Sequence, residues 1–281
     1  MAPTEIREKL DKFPSVSVVI PTLGRESLLN SILSATNQSV EPLEVLVICH
    51  DSLSDTQVIS QAASFPLVKI LRNSQGTASE NRNQGIRESL GDFVAFLDDD
   101  DIWLPLKLES QLRLVKSQNY DLVACKARYQ GWRNEEVPKK IYSNKQSFLK
   151  SLYGKWDFGT RKYGIPTPTI LVRAAVAREF QFNTHLQERE DLLFVDKVEL
   201  AGYRITQIDE VLVEVASSKP FSHRQTVISQ DLYWFKYLSD KPSMLNWKFL
   251  ITVALRNRLM TFQVFTGLKL LFSALKVSVK K

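Results

Sequence analysis

The strongest constraint on this chain is a succession of β-branched apolar runs of strand length with helical patterns between them. The runs are "SVSVVIP" (15–21), "LEVLVICHD" (43–51), "LVKILRN" (67–73) and "FVAFLD" (93–98). Their composition suits strands, and near-continuous hydrophobicity suits strands covered on both faces. Between the first two, Leu28, Leu29, Ile32 and Leu33 recur at helix spacing. Ser54 with Gln57, and Thr77 with Glu80, have the capping-box form that starts a helix. Strand, helix, strand, helix predicts an α/β fold with a Rossmann-like, mostly parallel central sheet flanked by helices. In such sheets ligands sit beyond the carboxyl ends of the strands, which puts Pro21, Thr22, His50, Asp51 and Asp98 onward on one rim.

That rim ends in "FVAFLDDDDIWLP" (93–105), four consecutive aspartates closing a buried strand. Four ionised carboxylates repel one another, and in a partly dry cleft their pKa values rise unless a cation compensates. A divalent ion, Mg²⁺ or Mn²⁺, supplies that compensation and is commonly held by one or two carboxylates together with phosphate oxygens. A second reading is local: Asp101 precedes the amphipathic pattern Leu104, Leu108, Leu112, Val115 and would cap that helix, with Pro105 in its first turn. A cap accounts for one or two of the four.

Other phosphate sites lack their signatures. No G-x-G-x-x-G follows the first run and no G-x-x-x-x-G-K-[ST] occurs anywhere. The three histidines include no i, i+4 pair for zinc, and no G-x-S-x-G elbow is present. Cys49 and Cys125 lie inside apolar runs, as reduced core thiols do. "MAPTEIREKLDKFPSVSVVIPT" lacks the layout of a secretory signal, so a cytoplasmic location is expected.

The net charge of +6 is local. Residues 241–281 hold eight lysines and arginines and no acid, so the rest of the chain is close to neutral and nucleic acid is not the expected partner. The tail's uncharged runs are too short to span a bilayer. On a helical wheel Leu268, Leu271, Phe272 and Leu275 share one face and Lys269, Ser273, Lys276 and Lys280 another, the pattern of a helix lying on an anionic membrane. A helix docked on the protein's own core with its lysines in water fits equally well.

"VSVVIPTLGR", "EVLVICHDSLSD", "ENRNQGIRESLGDFVAFLDDDDIWLPLKLESQ" and "EREDLLFVDKVELAGYRI" follow in an order and spacing that resemble the family 2 glycosyltransferases of the GT-A fold, over roughly residues 15–215. The resemblance implies an inverting transfer of sugar from a nucleotide-diphosphate sugar, a UDP-sugar by preference, to a hydroxyl of a saccharide or lipid-linked saccharide in cell-surface polysaccharide synthesis. It implies that Pro21–Thr22 opens the nucleotide pocket and that Asp51 meets the uracil ring; the second acid often found before it is His50 here. Arg82 matches an arginine near the pyrophosphate, and its local alternative is a surface pair with Glu80 or Glu88. The family's D-x-D element resembles Asp98-Asp99-Asp100, with Asp100 and Asp98 as metal ligands and Asp98 or Asp99 near the ribose. Glu190–Asp191 resembles the E-D pair facing the donor, Asp191 being the general base and Glu190 an acceptor contact; negative charge at a helix start is the local alternative.

Residues 102–240 are then the acceptor half and 15–101 the nucleotide half of a unit ending at 240, with 241–281 a basic helical extension. Trp132 and Trp156 are the acceptor candidates, followed by Tyr163 and Thr167; His223 and Arg224 follow the last strand and could reach the diphosphate. A nucleotidyltransferase or nucleotide-sugar pyrophosphorylase combines a similar nucleotide site and acidic metal site, but its glycine-rich N-terminal signature is absent. A non-catalytic nucleotide-sugar-binding relative is the other alternative.

Overall fold

The computed structural model describes residues 13–53, 56–74, 76–130, 134–142, 147–153, 164–216, 228–240, 245–251 and 264–279. Four strands form the parallel half of the sheet: β1 (Val16–Thr22), β2 (Glu44–His50), β3 (Val68–Asn73) and β4 (Phe93–Phe96), in the order β3-β2-β1-β4. β1 is buried along its whole length, as the continuous apolar run requires of a strand covered on both faces. Successive side chains point to opposite faces. Val18 and Ile20 join Val45 and Val47 on one side, packed by Leu28 and Ile32 of α1 (Leu28–Thr36). Val19 joins Leu46 and Ile48 on the other, with Ile86.

The remaining strands extend the same sheet with mixed direction. β8 (Leu171–Arg173) runs antiparallel to β4 and to β6 (Leu122–Gln130); β9 (Ile205–Ala216) lies parallel to β6; and the two-residue β5 (Ile102–Trp103) closes the edge antiparallel to β9. β7 (Glu135–Val137) pairs with β6 off this path. The parallel expectation thus describes the first half, and the second half carries antiparallel pairings.

Helices cover both faces. α2 (Gln57–Ala62) starts at Thr56, not in the predicted capping box, whose Ser54 lies outside the described residues. α3 (Ala78–Glu88) starts in the predicted box: Thr77 Oγ1 accepts from the Glu80 amide, and the Thr77 amide donates to the Glu80 carboxylate. α3 lies flush on β1 because of Gly85, where a Cβ would stand 2.4 Å from a Val19 methyl. α4 (Lys107–Gln118) follows β5, and α5 (Phe148–Tyr153), α6 (Ala174–Phe180) and α7 (Glu190–Leu200) follow in the second half.

The C-terminal extension is helical: α8 (Ile228–Ser239), α9 (Leu245–Phe249) and α10 (Val264–Val279). Trp234, Phe235, Leu238, Leu245 and Phe249 share one buried cluster with Leu193, Phe194 and Val198 of α7, and Leu270 and Ala274 of α10 join it. The extension therefore docks on the protein's own core, but not by the face the wheel singled out. Leu268, Phe272 and Leu275 are 48%, 66% and 48% exposed, and only Leu271 of that face is partly buried. Among the described residues no helix is long and apolar enough to cross a membrane.

Candidate active site

The carboxyl ends of β1, β2 and β4 meet on one rim, where the chain places Thr22, His50 and the acidic run. The four aspartates do not act as one group. Asp99 is 3% exposed, and its Oδ2 accepts from Thr22 Oγ1 (2.7 Å) and the Leu23 amide (2.9 Å) while its Oδ1 accepts from Arg25 (2.7 Å). It holds the turn after β1. Asp101, also buried, accepts from the Ala216 amide (2.9 Å) at the end of β9, and its carbonyl accepts from Ser31 Oγ (2.8 Å). The helix-cap reading of Asp101 is corrected: β5 and a further turn intervene, and α4 begins only at Lys107, with Leu106 at its N-cap. Burial, followed by the charge of Asp98, pushes the Asp101 carboxyl up to about 8.

Asp98 and Asp100 are left facing the cleft, each about a third exposed at the side chain. Arg82 Nη2 donates to Asp98 Oδ1 (2.6 Å), and Arg25 Nη1 donates to Asp100 Oδ2 (2.9 Å). Burial raises the Asp100 carboxyl above its ordinary value, with Arg25 opposing. Among the described residues no group of three His, Cys, Asp or Glu side chains is placed to hold a metal ion. With Asp99 and Asp101 engaged within the fold, Asp98 and Asp100 are the two carboxylates of the run that remain at the cleft. Asp100, with Asp98 beside it, suits a hard cation that brings phosphate oxygens as its remaining ligands.

The second half of the site comes from α3 and α7. Arg82 is 4% exposed, and its Nη1 donates to Glu190 Oε1 (2.9 Å), so one guanidinium joins the acidic strand end to the start of α7. Its plane also rests 5.4 Å from the centre of the Phe182 ring. The surface pairing with Glu80 or Glu88 is overturned: Gly85 presses this face of α3 onto the sheet, and Glu80 is used in the capping box. Burial opposes the charge on Arg82, but Asp98 and Glu190 more than offset it and keep the group cationic.

Asp191 follows Glu190 in the first turn of α7, and its Oδ1 accepts from the Leu192 amide (2.8 Å). Burial, then the Glu190 charge, raises its carboxyl to about 7. A carboxylate with that affinity for protons can accept one near neutral pH and pass it on. The residue before the pair, Arg189, has φ 64° and ψ 18°, a left-handed conformation that disfavours L-residues by about 1–2 kcal/mol. It redirects the chain from the loop into α7, and so sets where Glu190 and Asp191 point.

Just past the carboxyl end of β2, Asp51 begins a short 3₁₀ turn, Asp51–Leu53, and is exposed. His50 is pinned: Nδ1 lies 2.8 Å from Ser52 Oγ and Nε2 3.2 Å from the Ser74 carbonyl. Gly76, at φ +74°, passes so close that a Cβ would lie 2.9 Å from the imidazole. Pro21 and Thr22 are buried; Thr22 Oγ1 accepts from the Gly24 amide, so their visible work is to shape the turn. Of the acceptor candidates, Thr167 is buried in a 3₁₀ turn, and Trp132, Trp156 and Tyr163 lie outside the described residues, as do His223 and Arg224. Sequence reasoning missed Arg25, although it ends the quoted "VSVVIPTLGR"; the signal available was a cation three residues past the end of the first strand.

Comparison with known proteins decides the class. Residues 17–180 match the sequence model of the family described as "Glycosyl transferase family 2". The chain belongs to glycosyl transferase family 2. An uncharacterized glycosyltransferase of Haemophilus influenzae is 34% identical over 102 residues, 36% of this chain and 34% of that protein. UDP-Glc:alpha-D-GlcNAc-diphosphoundecaprenol beta-1,3-glucosyltransferase WfgD of Escherichia coli is 31% identical over 138 residues, 46% and 54% of the two chains. This family 2 chain thus spans about a third to a half of the length of those curated relatives. The crystal structure of S. aureus TarS 1-349 in complex with UDP superposes with a TM-score of 0.60 over 90% of this chain and 74% of that one, at 18% identity, a likeness of fold.

Proposed function

We propose that this family 2 chain transfers a sugar from a nucleotide-diphosphate sugar, a UDP-sugar by preference, to a hydroxyl of a saccharide or lipid-linked saccharide, with inversion at the anomeric carbon. One observation carries the reading: the buried Arg82 holds Asp98 on the strand end and Glu190 on α7 in a single ion-paired unit, which sets Asp191 beside the rim where a nucleotide would lie. Asp191 removes the proton from the acceptor hydroxyl, whose oxygen attacks the anomeric carbon as the nucleoside diphosphate departs on the opposite side. Glu190 lies next to that hydroxyl's approach and orients it. Thr22 and the turn it shapes, with Asp51, border the nucleotide, and Asp51 meets the base. Arg82 and Arg25 are the positive groups nearest the departing diphosphate, and preplaced charge of this kind stabilises charge that develops in the transition state.

A divalent cation, Mg²⁺ or Mn²⁺, would rest on Asp100 and Asp98, and when bound it supplies positive charge to the leaving group. The names of WfgD and TarS, with UDP-glucose and UDP in them, support the donor class; the diphosphoundecaprenol in the WfgD name supports a lipid-linked acceptor. We place the chain at the cytoplasmic face of the membrane, with 241–281 against anionic lipid. Leu268, Phe272 and Leu275 left in solvent beside the exposed Lys269 support that contact.

The test is a thermal-shift screen of nucleotide sugars with Mn²⁺, followed by NMR of the product formed from the stabilising donor. A donor that raises the melting temperature and yields the inverted anomer with wild type, and no product with Asp191→Asn, is expected. A retained configuration, or turnover by Asp191→Asn at the wild-type rate, refutes the mechanism.

A further inference from the structure

The family match stops at residue 180, before the pair at Glu190–Asp191 and well before the C-terminal helices. Yet α8 reaches the catalytic helix at two points. Arg189 Nη1 donates to Asp231 Oδ1 at 3.1 Å, and Asp231 has no exposed surface at all. Two turns further along α7, the buried Asp196 accepts from the Tyr237 hydroxyl of α8. The two contacts are seven residues apart, at the N-cap and in the middle of α7, and six apart on α8, so side chains tie the two helices at two separate points.

Arg189 is further confined by the Phe249 ring of α9, whose centre lies 5.2 Å from its guanidinium. The side chain of this left-handed residue before Glu190 is therefore held by Asp231 and Phe249 of the C-terminal extension, with Glu188 next to it in sequence at a longer 3.9 Å. A buried carboxylate needs a cation partner, and a residue in the left-handed region needs surroundings that over-determine it. Arg189 meets both needs at once.

We infer that α8 is part of the catalytic apparatus, and that Asp231 and Arg189 are positioning residues which set the direction in which Glu190 and Asp191 enter the cleft. This rests on the reading of Asp191 as the base. The extension is more than a cover for the core: without it the turn at Arg189 relaxes toward an ordinary backbone conformation and the base swings away from the rim. A displacement of about 1 Å at a catalytic group can lower a rate about 100-fold.

Two variants of the full chain test it. Asp231→Asn removes the charge and keeps the shape. The double variant Arg189→Met with Asp231→Leu replaces the buried ion pair by apolar side chains, a change that commonly preserves or improves stability. The expected result is a kcat lowered about 100-fold in both, with the donor KM and the UDP dissociation constant within twofold of wild type. Hydrogen exchange read by mass spectrometry should rise in the peptide covering 186–195 and stay unchanged in the one covering 93–103. A folded double variant with wild-type kcat overturns the inference, since a purely structural pair would lose nothing once stability is restored. Unchanged exchange at 186–195 overturns it too, whatever the activity. The exchange measurement needs no turnover, so if wild type transfers no sugar, the functional reading fails while a loosened 186–195 still supports the latch.

Discussion

Asp191 should be a burden on the folded state, and the size of that burden follows from its surroundings. Burial and the neighbouring Glu190 raise its carboxyl from an ordinary 3.8 to about 7, with Arg82 only partly opposing. The sign follows from proton linkage. A carboxyl whose folded value is raised leaves the folded state holding more protons than the unfolded chain between pH 4 and 7. Its contribution to stability is therefore most favourable below the unfolded value and is lost as pH rises through 7. Above that, the folded protein carries an ionised carboxylate it disfavours, a cost of about 4 kcal/mol at most for a shift of this size. Asp191→Asn keeps the shape and an oxygen for the Leu192 amide but carries no charge. In urea titrations followed by tryptophan fluorescence, with the metal chelated, it should be more stable than wild type by about 2–4 kcal/mol at pH 8 and by almost nothing at pH 4. Glycosyl transfer should fall by about 10²–10⁴-fold in the same protein. A variant that is less stable at pH 8, or equally stabilised at both pH values, would refute the account of Asp191 as a carboxylate kept proton-hungry by its site.

The division of labour within the acidic run predicts opposite consequences for neighbouring residues. Asp99→Asn, which weakens the grip on Thr22, Leu23 and Arg25, should lower stability by about 1–3 kcal/mol and leave the ion requirement intact. Asp100→Asn should fold as wild type in thermal melts but lose Mn²⁺-dependent retention of UDP in calorimetry; the reverse pattern would mean the register is wrong by one residue. For the tail, Leu268→Gln with Phe272→Gln and Leu275→Gln changes only solvent-facing positions of α10. It should abolish flotation with vesicles containing anionic lipid while preserving kcat on a water-soluble acceptor, and undiminished flotation would refute membrane contact through that face.

The rim of the sheet was legible because its cause is local. Strands buried on both faces must be apolar throughout, and a parallel order then carries Thr22, His50 and Asp98 to one edge. Legible for the same reason was the start of α3, where Thr77 and Glu80 satisfy each other's backbone within four residues. The cap expected of Asp101 failed because β5 is only two residues long and owes its existence to β9, more than a hundred residues away, whose Ala216 amide takes the carboxylate instead. Arg25, Arg189, Asp231 and the two carboxylates that Arg82 joins escaped on similar grounds: ion pairs that span 16 to 108 residues leave no periodic trace.

What decides these pairings is how few cations the described residues bring to the cleft. Each arginine near it is committed to carboxylates: Arg25 to Asp99 and Asp100, Arg82 to Asp98 and Glu190, Arg189 to Asp231. Asp191 takes its hydrogen bond from an amide and not from any of them, and burial followed by the Glu190 charge raises its carboxyl to about 7. Pairing its neighbours while leaving it without an ion-pair partner among the described residues suits the proposed role of general base, because a salt-bridged carboxylate would hold its negative charge too firmly to accept a proton. Distributed over a turn, a strand edge and two ion pairs, the run of four aspartates uses up positive charge nearby and leaves Asp191, the proposed base on α7, able to take a proton.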